Sequence, residues 1–598
     1  MRRRIARIAN RRKLRNSEVW MIVACAPLGA FVGLVVVLMH AAISVLQYLG
    51  FGGALPELLE TGGRGIVPWR LAAIPIAGGL LVGLLALIVR RIRPGDIVDP
   101  VEANAIYGGR MSLVDSIRVG ISTIVSNGAG ASVGMEAAYA QMGAGILSWA
   151  GQGLRLRRAD LRVFVAAGTA AAIAAAFNAP LAGAFYAYEL VLGSYSVAAL
   201  AQVATAALSG TLVVRAILGE APIYLLHATT VPLTQWDYPL FGLLGLLCGI
   251  LAVAAMQAVT WFESRMRALP TPFWLRPAIG GAAMGVVALW VPQVLGNGQG
   301  AIQYNFDTIV PLPLLVLLLG AKLLGSVVSI GSGFRGGMFS NSLFLGTLFG
   351  AVFVQTGAMF LPFLAEQRSV FMLVGMGALA AAVVGSPVTM VFLVLEVTND
   401  FDMALAVLAG VIVAWQFVRS TFGYSFSTWR FHQRGVSILG AHDVGWVSDL
   451  TVGRMMRSDP MTVPADQSLL RLRVAIPIGT TGRVFAVDGA QHYKGAIDVA
   501  TIHDSDLDDA AAGLVADDLA GGRGLFLMPD MDVRRALGRF VETEEEILPV
   551  VASDADRRVV GYLTESFALR RYAEELERRR NAELGVRDHL SVGPTTVK

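Results

Sequence analysis

The chain has 598 residues, of which 55% are hydrophobic and only 15% charged, with a formal net charge of +4 and a mean hydropathy of +0.61. That balance excludes an ordinary soluble globule and a disordered chain, and it points to a polytopic membrane protein. Cys25 and Cys248 both lie in apolar runs, which excludes a disulfide framework, and the seven histidines form no HxxxH or HExxH pair, so no metal is expected.

Residues 1–16 are strongly basic and precede a run too long for a signal-peptide core. They read as a cytoplasmic anchor under the positive-inside rule. No aromatic residues interleave them for base stacking, so nucleic acid is not an expected partner. Apolar runs long enough to span a bilayer begin at residues 19–46 and 71–89 and recur to about Phe417. Past about Gly435 the texture becomes ordinary charged sequence. The expected division is a transmembrane domain over 17–436, a linker over 437–450, a soluble domain over 451–575 and a charged helix end and tail over 576–598.

Between the second run and the next lies a polar turn carrying Asp96, Asp99 and Glu102. Residues 128–143 follow, glycine-punctuated and apolar apart from Glu136. A carboxylate at membrane depth costs at least a few kcal/mol, roughly 2–4, and normally faces a polar cavity or partner. The glycines predict a helix starting here, and a helix N-terminus offers unpaired N–H groups and partial positive charge to an anion. Residues 166–189 are rich in Ala and Gly, as close helix packing in membranes requires, and are broken in the middle by Asn178 and Pro180.

The second half repeats these features in order. Gly337 and Gly346 keep the spacing of Gly134 and Gly143, at an offset of 203 residues, and the segment 384–396 matches 177–189 with proline, phenylalanine and glutamate in register at an offset of 207. Ordered matches at near-constant offset indicate an internal duplication, with halves at about 71–215 and 275–425. Interrupted apolar segments in corresponding places of two halves predict a transport site between opposed half-helix ends. Glu189 and Glu396, at matched ends of the repeat, read as structural hydrogen-bonding groups rather than proton carriers. Lys322 and Arg335 flank the second half-helix and read as side chains snorkelling to the interface. Beyond residue 450 a smaller duplication appears, with Pro464 to Gly495 and Pro529 to Gly561 separated by 31 and 32 residues. Each copy predicts a small α/β unit, with helices at 467–474 and 533–540 and strands at 484–487 and 547–551.

These motifs resemble the CLC family of chloride channels and proton-coupled chloride exchangers, with a C-terminal pair of CBS motifs. Gly134-Met135-Glu136-Ala137-Ala138 is similar to the family's Gly-Arg-Glu-Gly-Pro, and Gly337-Met338-Phe339 to its Gly-x-Phe-x-Pro. The run 174–183 matches a further family run almost letter for letter. The resemblance implies an all-α membrane domain with an inverted repeat, followed by a small cytosolic α/β pair. It implies anion transport, chloride foremost, gated by Glu136, with the anion held by backbone amides at Gly134, Met135, Gly337, Met338 and Phe339. It further implies a homodimer, in a bacterial inner membrane with both termini cytoplasmic.

This chain departs from the family pattern in several places. The serine of the family's Gly-Ser-Gly-Ile-Pro has no counterpart, and Asp96 and Asp99 stand in that segment. Leu190 replaces the second, proton-carrying glutamate of exchangers, which favours a passive channel over H+-coupled exchange. The inner-gate tyrosine aligns with Ser427, with Tyr424 and Phe426 as alternatives. CBS pairs in the family bind adenine nucleotides; here Thr564 remains, but Asp498 and Phe567 stand at two other expected positions. An enzyme is not expected, because no nucleophile–base pair or acidic metal cluster is present. A CBS-based membrane sensor without transport is the further alternative.

Overall fold

A computed structural model describes residues 18–433 and 450–574, apart from residues 64, 93–96, 106, 220–232, 480, 481, 512, 544 and 573. The chain divides into two compact units, Met1–Asp443 and Val444–Lys598. The basic N-terminus, the linker and the tail expected from the sequence lie outside the described residues.

The first unit is helical throughout. In chain order its helices are α1 (Glu18–Phe51), α2 (Leu55–Glu60), α3 (Pro68–Ile92), α4 (Pro100–Ala105), α5 (Leu113–Gly128), α6 (Glu136–Gly153), α7 (Arg158–Phe177), α8 (Pro180–Tyr186) and α9 (Val197–Leu218). There follow α10 (Asp237–Ala268), α11 (Arg276–Trp290), α12 (Gln299–Asp307), α13 (Leu312–Ser332), α14 (Phe339–Gly357), α15 (Arg368–Val384), α16 (Pro387–Thr398), α17 (Phe401–Thr421) and α18 (Phe426–Gln433). Among the described residues nine helices are long and apolar enough to cross a membrane. The protein is an integral, multi-pass membrane protein.

The duplication is visible in three local structures. The first is a pair of close helix crossings. A methyl group at Gly143 would lie 2.1 Å from the Gly168 carbonyl oxygen, and one at Gly346 would lie 2.2 Å from that of Gly375. Only glycine allows α6 to meet α7, and α14 to meet α15, at that distance. The second is a shared break. Asn178 ends α7 with φ 54° and Gly385 ends α15 with φ 85°, so the two halves stop a helix with the same left-handed residue, and Pro180 and Pro387 start the next helix two residues on.

The third is a reciprocal cap. Glu189 accepts hydrogen bonds from the amides of Val388 and Thr389, each at 2.9 Å, and from the Thr389 hydroxyl at 2.7 Å. Glu396 accepts from the amides of Leu181 at 2.8 Å and Ala182 at 2.9 Å. Each half therefore supplies the carboxylate that satisfies the first free amides of the other half's broken helix. Those amides would otherwise be orphaned in an apolar setting. The structural role read for both glutamates is the one this geometry gives them.

Lys322 corrects the snorkelling expectation. It is fully buried, its Nζ donates to the carbonyls of Val294 at 3.2 Å and Gly296 at 2.9 Å, and it lies 5.5 Å from the centre of the Phe344 ring on α14. The backbone carbonyls at the start of the 294–296 turn solvate the ammonium, so it has no need to reach the interface.

In the second unit β1 (Thr462–Pro464) pairs in parallel with β2 (Arg483–Val487), which pairs antiparallel with β3 (Tyr493–Asp498). β4 (Ile547–Val551) pairs antiparallel with β5 (Val559–Thr564). Irregularities at Ala486/Val487 and Val550/Val551 occupy the same place in both hairpins. A parallel bridge of Leu527 to Val550 stands where β1 meets β2 in the first copy. Helices α19 (Leu469–Ala475) and α20 (Val533–Thr543) complete the copies. The unit is the small α/β pair expected, consistent with a CBS-like domain.

Replacing Glu189 or Glu396 by Ala leaves two helix-start amides without an acceptor, which costs about 1–2 kcal/mol for a lost cap. Either variant is expected to lower the midpoint of thermal unfolding in detergent, and the Gln variants are expected to lower it less. An unchanged midpoint for both Ala variants would show that the caps do not stabilise the fold.

Candidate functional site

The site is built on a pair of glycines. Gly134 donates its amide to the Gly337 carbonyl at 2.8 Å, and Gly337 donates its amide to the Gly134 carbonyl at 3.0 Å. This two-residue antiparallel bridge joins the halves of the repeat just before α6 and α14 begin. Two helix N-termini therefore converge within the membrane unit. Their free N–H groups and dipoles give the meeting point a positive potential that favours an anion.

Glu136 is the first residue of α6 and is 3% exposed. Its carboxylate folds back over the start of its own helix, beside Gly134, and reaches across to the other half. It accepts a hydrogen bond from the Ser340 hydroxyl and a long contact, 3.4 Å, from the Ser340 amide, both in the first turn of α14. The carboxylate thus occupies the seat that the opposing helix start offers to an anion. Glycine is required at 134, because a Cβ there would lie 2.3 Å from Glu136 Oε2.

A shell of polar side chains fixes the loops in place. Asn341 Nδ2 donates to the Ser132 carbonyl at 2.7 Å, and Asn127 Nδ2 to the Val133 carbonyl at 2.9 Å. Gln47 bridges Asn127 and the Leu55 amide. Across the repeat, the Ser329 hydroxyl accepts from the Ser132 amide and the Ser126 hydroxyl from the Arg335 amide. Buried donors and acceptors that satisfy one another in this way hold a loop rigidly, because any shift would leave them unpaired.

The structure amends the expected ligand set. The amides of Gly134 and Gly337 are committed to each other's carbonyls, so they are not donors to an anion, and the expected set reduces to Met135, Met338 and Phe339. Asp96 lies outside the described residues. Asp99 stands immediately before α4, where its Oδ1 accepts from the Val101 amide at 2.8 Å. Tyr424 is not brought to Glu136. Its ring stacks on His432 with centroids 4.9 Å apart and packs against Trp429 and Phe422, and its hydroxyl lies 3.4 Å from His432 Nδ1. Ser427 turns an exposed side chain outward, and Phe426 is buried in the main apolar core. Local packing decided these positions: the aromatic residues of α18 and the turn before it cluster with one another.

Two residues of the site went unnoticed in the sequence. Ser340 sits one place past the expected amides, and a serine in a helix start reads as an ordinary capping residue. Tyr186 places its ring 6.0 Å from that of Phe339, which is itself 5.0 Å from Phe177. An aromatic residue within an apolar helix reads as core.

In the second unit a cavity of about 150 Å³ lies between the copies. Arg483 spans it, donating to Asp498 at 2.8 Å and to the Ile547 carbonyl at 3.2 Å, with Glu545 at 2.5 Å. Tyr493 also lines a more open cavity of about 400 Å³, together with Asp488, His492, Lys494, Arg523, Ala555 and Arg557. Thr564 is not among the residues lining the first cavity, and its hydroxyl accepts from the Phe567 amide at 3.4 Å.

The family described as "Voltage gated chloride channel" matches residues 78–419, a span that holds both convergent helix starts. The chain belongs to the CLC family. It is 32% identical over 380 residues to the H(+)/Cl(-) exchange transporter ClcA of Vibrio campbellii, covering 60% of this chain and 79% of the relative. It is 28% identical over 400 residues to the voltage-gated ClC-type chloride channel ClcB of Salmonella typhimurium, covering 65% of this chain and 93% of the relative. A slow cyanobacterial Cl-/H+ antiporter of known structure superposes with a TM-score of 0.61 at 22% identity, over 69% of this chain and 97% of the other. That likeness establishes the fold.

Ser340→Ala in this CLC protein removes the hydroxyl that holds the Glu136 carboxylate and leaves the backbone unchanged. Anion flux through liposomes at neutral pH is expected to rise several-fold, about fivefold for the loss of one hydrogen bond. A flux equal to that of the native protein would show that Ser340 does not hold the carboxylate.

Proposed function

We propose that this CLC protein moves anions, chloride foremost, across the membrane along a path that the Glu136 carboxylate blocks and its protonation opens. The observation that carries this reading is the seat of the carboxylate on the first turn of α14. A negative group and a negative ion cannot share that turn, because repulsion at van der Waals distance in a weakly polar interior is large. Protonation removes the charge, weakens the attachment to Ser340 and frees the turn for the anion. Lys322, buried beside Phe344 of α14, adds positive potential along the same helix.

A passive channel is favoured over exchange. Leu190 offers no second carboxylate, and the neighbouring Glu189 is committed to the amides of Val388 and Thr389. The similarity to a relative named as an H(+)/Cl(-) exchanger keeps exchange as the second reading. The protein is placed in the bacterial cell membrane as a homodimer, with basic N-terminus and C-terminal unit cytoplasmic. The CBS-like unit modulates transport in this reading, and a sensor that does not transport is the outcome a flux-negative protein would reveal. No enzymatic reaction is proposed.

Chloride, nitrate and fluoride flux into liposomes, with and without an opposing proton gradient, tests the whole reading. The native protein is expected to carry chloride faster at acidic than at neutral pH, and Glu136→Gln is expected to carry it at the acidic rate whatever the pH. Flux and pH response left unchanged by Glu136→Gln would sink the gate. Uphill proton movement driven by a chloride gradient would replace the channel by the exchanger.

A further inference from the structure

The two β-hairpins of the CBS-like unit end in charged turns. The turn between β2 and β3 spans residues 488–492, and the turn between β4 and β5 spans residues 552–558. The turns lie side by side, one from each copy. Tyr493 donates its amide to the Arg557 carbonyl at 2.9 Å, and Val559 donates its amide to the Gln491 carbonyl at 3.3 Å.

His492 stands between the turns. Its Nδ1 lies 3.5 Å from Oδ2 of Asp488 in its own turn, and its Nε2 lies 3.5 Å from Oδ1 of Asp556 in the other. Backbone amides pin both carboxylates in place. Asp488 Oδ1 accepts from the amides of His492 at 2.9 Å and Ala490 at 3.0 Å, and Asp556 Oδ1 accepts from the Arg558 amide at 3.2 Å. The bond from the His492 amide, foremost, holds the Asp488 carboxyl below the usual carboxylate range, so it stays charged while an imidazole titrates.

The cations around the ring have carboxylate partners of their own. Lys494 lies 3.4 Å from Asp488, Arg557 3.6 Å from Asp554, Arg558 4.0 Å from Asp556 and Arg523 3.2 Å from Asp517. The imidazole lines the open cavity of about 400 Å³, so water reaches it.

A neutral imidazole carries one N–H and can donate to only one of the two carboxylates, whereas an imidazolium carries two and can donate to both. Histidine passes between these forms within about pH 5–8. We propose that His492 is a proton-operated clasp, which joins the turns of the two copies when its ring is protonated and releases them when it is neutral. The attraction is present at acidic pH and is lost as pH rises through the imidazole range, because only the charged ring gains from both partners. The CBS-like unit therefore responds to the acidity of the solution that bathes it. This response is separate from that of Glu136 and does not rest on the reading of Glu136 as a gate.

The two amides that bond across the turns report whether the clasp is shut. Their protection is measured by hydrogen–deuterium exchange of the full-length protein in detergent, at about pH 5.5 and about pH 8, with labelling times scaled to the intrinsic exchange rate. In the native protein, peptides covering Tyr493 and Val559 are expected to be about threefold better protected at the acidic pH, the size of effect that exposed ion pairs supply. His492→Gln keeps a polar side chain that does not titrate and is expected to give equal protection at both. Asp556→Asn removes the charge of the far turn alone and is expected to abolish the difference as well. His503→Gln, at a ring bonded instead to the Ile476 carbonyl, is expected to keep the native difference.

Equal protection of the native protein at the two pH values overturns the clasp, and so does a difference that survives His492→Gln. If His492→Gln speeds exchange throughout both sheets at either pH, the side chain serves the fold and Asp556→Asn decides. A native difference in that variant overturns the proposal, whereas a loss confined to the two turns upholds it.

Discussion

Gly134 and Gly337 exchange both their backbone hydrogen bonds across the repeat, and the rest of the membrane unit depends on that exchange. A peptide group deep in an apolar unit must find a partner within the protein. Here the partner of each loop is the other loop, so neither helix start can be placed without its mate. The two N-termini are driven to one point, and the potential there is positive before any ion arrives. The arrangement is filled in this structure by the protein's own Glu136.

The same logic recurs farther along the halves. Glu189 caps α16 and Glu396 caps α8, so each broken helix is completed by a carboxylate from the opposite copy. The glycine crossings of α6 with α7 and of α14 with α15 bring the backbones close enough for these exchanges to line up. Glu189 and Glu396 are each held by backbone amides of the opposite half, whereas the donors that reach Glu136 across the repeat, a hydroxyl and an amide, both belong to Ser340.

Much of this was legible in the chain. The membrane class follows from composition, and the duplication from motifs kept in order at offsets of 203 and 207 residues. Glu136 stood out because an isolated carboxylate in an apolar run demands a reason. Asn178, with the proline that follows it, marked the break of the first half, and the matched proline of segment 384–396 carried it to the second, where the backbone breaks at Gly385. Lys322 was misread, because a lone lysine at membrane depth gives no sign in sequence of the carbonyls of Val294 and Gly296 that solvate it. Tyr424 was weighed for the pathway on its place near the family motif, whereas its ring found aromatic neighbours close by.

By itself the sequence determined which residues are chemically unusual for their surroundings, the order of the helices and the existence of two related halves, since these depend on local composition and periodicity. Only the tertiary structure decided which of those residues meet. It turned two expected anion-binding amides, Gly134 and Gly337, into a mutual pair and set the Glu136 carboxylate on Ser340. Contacts of this kind join positions about two hundred residues apart. They are satisfied by the closing of one half against the other, which no local stretch of chain can encode.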